Sequence, residues 1–253
     1  MLHSNAASRN PNSFCIVRSR RTFVTRRRLL CFGDSNTYGW QAALSGPTLR
    51  YPANVRWTGR LAGLLGRDWE VLEEGLGGRT LRDKATVGSG VSVPGAGLSA
   101  LDYLPACLLS HLPLDIVVIM LGSNDMKSVL QRSEHDIAEG MAALVDVTRL
   151  FPWNELLDYP HPQVLVMSPP LIGERKMQLA GARYVDAPRK SRRLAELYRS
   201  VAETHDAFFL DAAAAIGGEP WGEAHGVDGM HLSEEDHAAL ANAVFEKVRS
   251  MIL

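Results

Sequence analysis

The run Ile116-Val117-Val118-Ile119-Met120-Leu121 is apolar at every position. A strand with one wet face alternates apolar and polar residues, whereas a strand apolar throughout must be covered on both faces. Shorter apolar runs occupy Leu29–Gly33, Val164–Met167 and Ala207–Leu210, and Trp69–Leu72 also reads as a strand. The segments between them have helical spacing. In Pro52–Leu65, Trp57, Leu61, Leu64 and Leu65 fall on one face. Leu98–Leu109 reads as a helix, and Ala187–His205 as a charged amphipathic one. Ser133 with Asp136 opens another in the manner of a capping box, and Ser233-Glu234-Glu235-Asp236 begins the last one. The last of these buries Leu240, Ala241, Val244 and Val248. Residues 75–98, rich in Gly, Ser and Val, read as a loop. Alternating strands and helices predict an α/β fold: a three-layer α/β/α sandwich on a five-stranded parallel sheet, joined by right-handed crossovers. Ligands of such sheets collect at the carboxyl ends of the strands. Ser35 lies at that end of the first strand and Asn124 at that end of the third.

A chain of 253 residues is long enough for one large domain of this kind. The net charge is -1, yet Arg9, Arg18, Arg20, Arg21, Arg26, Arg27 and Arg28 crowd the first 28 residues, which contain no Asp or Glu. The remainder is therefore acidic and gives no reason to expect a nucleic-acid partner. Residues 1–28 are expected to be a disordered extension, with the domain at 29–253. Ser19-Arg20-Arg21-Thr22-Phe23-Val24 resembles a twin-arginine export signal, and the Arg- and Ser-rich composition also resembles a transit peptide. The only apolar stretch that follows runs directly into Ser35, so cleavage behind it would destroy that segment. A cytoplasmic protein is the expectation. No run approaches the ~18 apolar residues of a membrane span, so no membrane partner is expected. Cys15, Cys31 and Cys107 make no disulfide framework in a chain this long, and Cys31 and Cys107 read as small buried hydrophobes.

Four short segments carry possible chemistry. Gly33-Asp34-Ser35 places a hydroxyl in the turn after the first strand, although such residues are common in any turn. Gly75-Leu76-Gly77-Gly78-Arg79, after the second strand, is either a plain turn, an oxyanion donor or a phosphate cradle. Its spacing matches neither Gly-x-Gly-x-x-Gly nor a P-loop. Gly122-Ser123-Asn124-Asp125 offers an amide that either caps the next segment or donates to an oxyanion. Asp228 and His231 are three residues apart, a spacing that lets the carboxylate accept from the imidazole Nδ1–H and leaves Nε2 for Ser35. His225, Asp228, His231 and His237 also offer a metal-ligand set, without the helix-borne His-Glu-x-x-His pattern.

Taken in order, these four blocks resemble the signature of the SGNH (GDSL-type) hydrolases, from about Leu29 to Leu253. Stretches such as Val55-Arg56-Trp57-Thr58-Gly59, Leu112-Pro113-Leu114-Asp115 and Gly226-Val227-Asp228-Gly229-Met230-His231 are similar to a bacterial arylesterase/acyltransferase branch of that family. The resemblance implies a flavodoxin-like sandwich in which Ser35 is the nucleophile, His231 the base and Asp228 its orienting carboxylate. It implies an oxyanion hole made by the Ser35 N–H, the Gly78 N–H and the Asn124 amide. Asn36 stands where many relatives have Leu and is expected to line the acyl pocket, with Trp40 and Met230 also contacting substrate. The implied partner is a small-molecule ester, and no metal or cofactor is implied. Serine esterase action on short, acetyl-type esters of aryl alcohols or carbohydrates is the leading expectation. Acyl transfer to alcohols or peroxide on the same site is the alternative, and a non-catalytic carbohydrate-binding protein is a third. A homo-oligomer is expected, with Phe151-Pro152-Trp153 at subunit contacts.

Overall fold

A computed structural model describes residues 26–82 apart from 46 and 48, together with residues 98–153, 159–217 and 226–252. Five parallel strands form the sheet: β1 (Arg27–Gly33), β2 (Trp69–Gly75), β3 (Ile116–Met120), β4 (Gln163–Ser168) and β5 (Phe208–Asp211). Their order is β2-β1-β3-β4-β5. The chain thus steps outward from β1 to β2, crosses back to β3 on the other side of β1, and continues away. That reversal leaves a crevice at the carboxyl ends of β1 and β3, where open α/β sheets bind ligands.

The helices are α1 (Ser35–Tyr38), α2 (Trp57–Leu65), α3 (Ala100–His111), α4 (Glu134–Leu150), α5 (Glu174–Ala180), α6 (Ala187–Thr204), α7 (Ala212–Gly217) and α8 (Glu234–Met251). Side-chain alternation along each strand sorts the core into two layers. Leu30, Phe32, Val117, Ile119, Val164 and Val166 face α3, α4 and α6. Leu29, Cys31, Ile116, Val118 and Leu165 face α2, α7 and α8. Full burial of each such aliphatic side chain is worth roughly 1.5–3 kcal/mol, so both faces of β3 contribute to stability. The expected sandwich and five-stranded parallel sheet are present. No described helix is long and apolar enough to cross a membrane.

Several boundaries differ from the sequence expectation. Residues 52–56 are a turn, because the Val55 and Arg56 N–H groups both donate to the Pro52 carbonyl, so α2 starts at Trp57. Leu64 on α2 is 42% exposed, and Trp57 and Leu61 carry the buried face. Strand β2 runs on to Gly75, paired residue for residue with β1. The capping box forms as expected at Ser133, and a second one forms at Ser233 with Asp236. Cys31 and Cys107 are buried free thiols, whereas Cys15 and almost all of the Arg-rich extension lie outside the described residues. Trp153 is wholly buried in the core, with Nε1–H donating to the Thr148 carbonyl at 2.9 Å. It is therefore part of the chain's own interior rather than an exposed contact residue.

Candidate active site

Strand register brings the loops of the site together. Gly33 on β1 pairs with Gly75 on β2 and with Met120 on β3. The segments beginning at Asp34, Leu76 and Leu121 therefore leave the sheet at one level, side by side.

Ser35 opens the short helix α1. Asp34 caps it, its Oδ1 accepting the Asn36 N–H at 2.9 Å. This carboxyl is buried, which raises its proton affinity; the Asn36 N–H, His231, Arg79 and Lys127 act in the opposite direction. The next loop is joined to the same turn, with the Leu76 N–H donating to the Gly33 carbonyl at 3.1 Å. Arg79 is buried against the face of Phe32, its guanidinium 4.2 Å from the ring centre. One Nη donates to the carbonyls of both Gly33 (3.0 Å) and Glu74. Burial lowers the Arg79 pKa. Gly78 adopts φ +83°, a left-handed conformation that a side chain would strain. Its N–H has no partner among the described residues.

On the other side of β1, Gly122 turns the chain at φ +121°, and any Cβ there would lie 2.6 Å from the Tyr198 hydroxyl. Asn124 follows at 3% exposure, and its Nδ2 is buried with no hydrogen-bond partner among the described residues. A buried amide left unpaired costs ~1–3 kcal/mol, so it reads as a donor held ready for a ligand. Neighbouring Asp125 does have partners: the Leu81 N–H and the Arg132 guanidinium. Burial nevertheless pushes its pKa up to about 7 against both.

The segment 226–232 brings the base. His231 Nδ1 lies 2.8 Å from Asp228 Oδ2, and Nε2 lies 3.0 Å from Ser35 Oγ. A carboxylate only accepts, so Nδ1 carries the proton and Nε2 is left to accept from the serine hydroxyl. Asp228 Oδ1 accepts the N–H groups of Met230 (3.2 Å) and His231 (3.0 Å), which shapes the turn around it. Burial alone would raise the Asp228 carboxyl; donation from His231 and Lys176 outweighs it and holds the group well below the usual carboxylate range.

The sequence-predicted residues Ser35, Asn36, Trp40, Asp228, Met230 and His231 thus meet. Asn36 is 2% exposed and spends its whole amide on the histidine segment. Nδ2 donates to the Met230 carbonyl at 3.1 Å, and Oδ1 accepts the Leu232 N–H at 3.1 Å. It staples the base to the nucleophile turn. The Met230 side chain packs into the core. Trp40 stacks on the His231 ring, centroids 6.1 Å apart, and is half-buried at the site. The metal reading does not hold: His237 is buried and accepts the Trp57 N–H on Nδ1 at 3.2 Å, and His231 is bonded within the triad. His225 lies outside the described residues. Two residues escaped the sequence reading. Lys176 donates to Asp228 from 52 positions away, and nothing in its local sequence signals this. Arg79 was legible only as the end of a glycine loop.

A hydroxyl, an imidazole and a carboxylate linked in that order, at the carboxyl ends of parallel strands beside spare N–H donors, define a serine hydrolase site. Residues 31–239 match the GDSL-like lipase/acylhydrolase family, and the chain belongs to it. Similar solved structures include the native aryl esterase of M. smegmatis: 39% identity over 88% of this chain and 99% of that one, TM-score 0.79. A carbohydrate acetylesterase from Sinorhizobium meliloti is 38% identical over 89% and 100% of the two chains, TM-score 0.76. A second carbohydrate acetylesterase family member from the same organism is 32% identical over 89% and 98%, TM-score 0.76. No curated protein matches the chain.

Proposed function

We propose that the chain hydrolyses short-chain, acetyl-type carboxylic esters of aryl alcohols or carbohydrates through an acyl-enzyme on Ser35. The observation that carries this is the unbroken Ser35–His231–Asp228 hydrogen-bond chain, together with a buried Asn124 amide that has no partner among the described residues. His231 Nε2 takes the Ser35 proton as Oγ attacks the acyl carbon, and the carbonyl oxygen becomes an oxyanion. The N–H groups of Ser35 and Gly78 and the Asn124 Nδ2 stabilise that charge. The protonated imidazole then gives its proton to the leaving alkoxide. Water enters, His231 takes its proton, and the carboxylic acid leaves as Ser35 is restored. Asp228 stays ionised and holds the imidazole in the tautomer the cycle needs. The names of the similar structures support aryl and carbohydrate esters as the substrate class. The test is a kcat/KM series over p-nitrophenyl esters of rising acyl length, run beside acetylated sugars. The expected result is a maximum at acetyl, abolished in Ser35→Ala. A maximum at long acyl chains, or turnover that survives Ser35→Ala, overturns the reading.

A further inference from the structure

Asp228 does not serve His231 alone. Lys176 on α5 places Nζ 2.7 Å from Oδ2, the same oxygen that accepts the His231 Nδ1–H. The Lys176 and Asp228 side chains are each 15% exposed, so the pair is largely shielded from solvent. The lysine is also built in by its backbone. The Gly173 N–H, just ahead of α5, donates to the Gly229 carbonyl at 2.9 Å, and Gly229 packs directly on Arg175 and the Lys176 N–H.

A triad carboxylate stabilises the imidazolium that forms when serine gives up its proton. A permanent cation on the same oxygen works against this, because it takes part of the negative charge and repels the protonated ring. It also keeps the carboxylate ionised and fixed, so orientation is retained while basicity is trimmed. We propose that Lys176 is a positioning residue that shares Asp228 with His231 and sets the lower pH limit of ester turnover. This rests on the reading of His231 as the base.

The other charged and titratable groups around the pair come from several elements. Burial raises the proton affinity of the Asp34 carboxyl, at the end of β1, and the charge of His231 acts against that larger effect. Lys127, after β3, has its proton affinity lowered by burial and by the positive charges of Lys176 and Arg183, against the opposing pull of Asp125 and Asp34. Tyr184 has Lys176 Nζ 5.6 Å from its ring centre and is itself pushed above the usual phenol range by burial. Among the described residues, His231 and Lys176 alone place a charged or titratable side chain on Asp228.

The test compares wild type with Lys176→Met, which removes the charge; Lys176→Gln, which keeps a donor; and Lys176→Arg, which keeps the charge. Two readouts are followed across pH: the NMR signal of the His231 Nδ1–H without substrate, and kcat/KM for p-nitrophenyl acetate. In the Met and Gln variants the imidazolium signal should persist to higher pH. Their ratio of kcat/KM at about pH 6 to that at about pH 8 should fall about threefold or more. The Arg variant should follow wild type. Profiles of Met and Gln variants that superimpose on wild type, even with a lower plateau, overturn the proposal and leave Lys176 a strut. Absent wild-type turnover overturns the esterase reading instead, and the NMR titration still decides whether Lys176 competes for Asp228.

Discussion

Asn36 and Leu232 are 196 residues apart in sequence, yet the Asn36 Oδ1 accepts the Leu232 N–H at 3.1 Å. With the partner bond from Nδ2 to the Met230 carbonyl, this fixes the histidine segment against the nucleophile turn. The 3.0 Å approach of His231 Nε2 to Ser35 Oγ depends on that staple, since the two residues ride on separate loops.

Asn36→Ala leaves a buried N–H and a buried carbonyl without partners. Each costs ~1–3 kcal/mol, so urea unfolding should show a loss of that order. Turnover should fall as well, because the base loses its register with the hydroxyl. A variant with wild-type stability and wild-type kcat would remove Asn36 from this role.

Asn124→Ala should behave in the opposite way. Its Nδ2 has no partner among the described residues, so the melting temperature should not fall. Loss of an oxyanion donor should lower kcat by ~10²–10³, with KM much less affected. Unchanged kcat would take Asn124 out of the oxyanion hole.

Asp228→Asn keeps the shape of the turn but changes what faces Nδ1. The expected fall in kcat is up to ~10⁴, by analogy with the serine-protease triad. Circular dichroism should show an intact fold, and turnover close to wild type would contradict the assigned role.

His237 gives a stability prediction that is independent of chemistry. Its Nδ1 accepts the Trp57 N–H and so caps α2 from α8. Burial lowers its pKa to about 4. A histidine held below its unfolded value keeps its full contribution above about pH 6.5 and loses it as pH falls toward 4. The loss attributable to this ring by about pH 5 is about 2 kcal/mol. Urea unfolding of wild type and His237→Gln across this range should show a shallower slope in the variant. Parallel slopes would mean that His237 is not held neutral.

Much of this site can be read from the sequence because its parts are local. The continuous apolar run of β3, the Ser133 capping box and the short spacing of Asp228 and His231 each follow from neighbours within a few residues. What stayed hidden depends on contacts far apart in the chain. The staple made by Asn36 exists only once the histidine segment lies over it. Lys176 looks like an ordinary surface cation until α5 folds back onto Gly229. Trp153 reads as an exposed aromatic in a loop, and only tertiary packing buries it. The start of α2 differs from its helical spacing for a local reason: the Pro52 carbonyl accepts two N–H groups and forms a turn where the apolar spacing continues.

The central claim is that Ser35 is a nucleophile activated by His231. Intact-mass measurement after exposure to a fluorophosphonate probe tests it most directly. The account predicts one adduct per chain, mapped to Ser35, absent in Ser35→Ala and strongly slowed in His231→Ala. A folded wild-type protein that stays unlabelled, or carries the adduct on another residue, would contradict it.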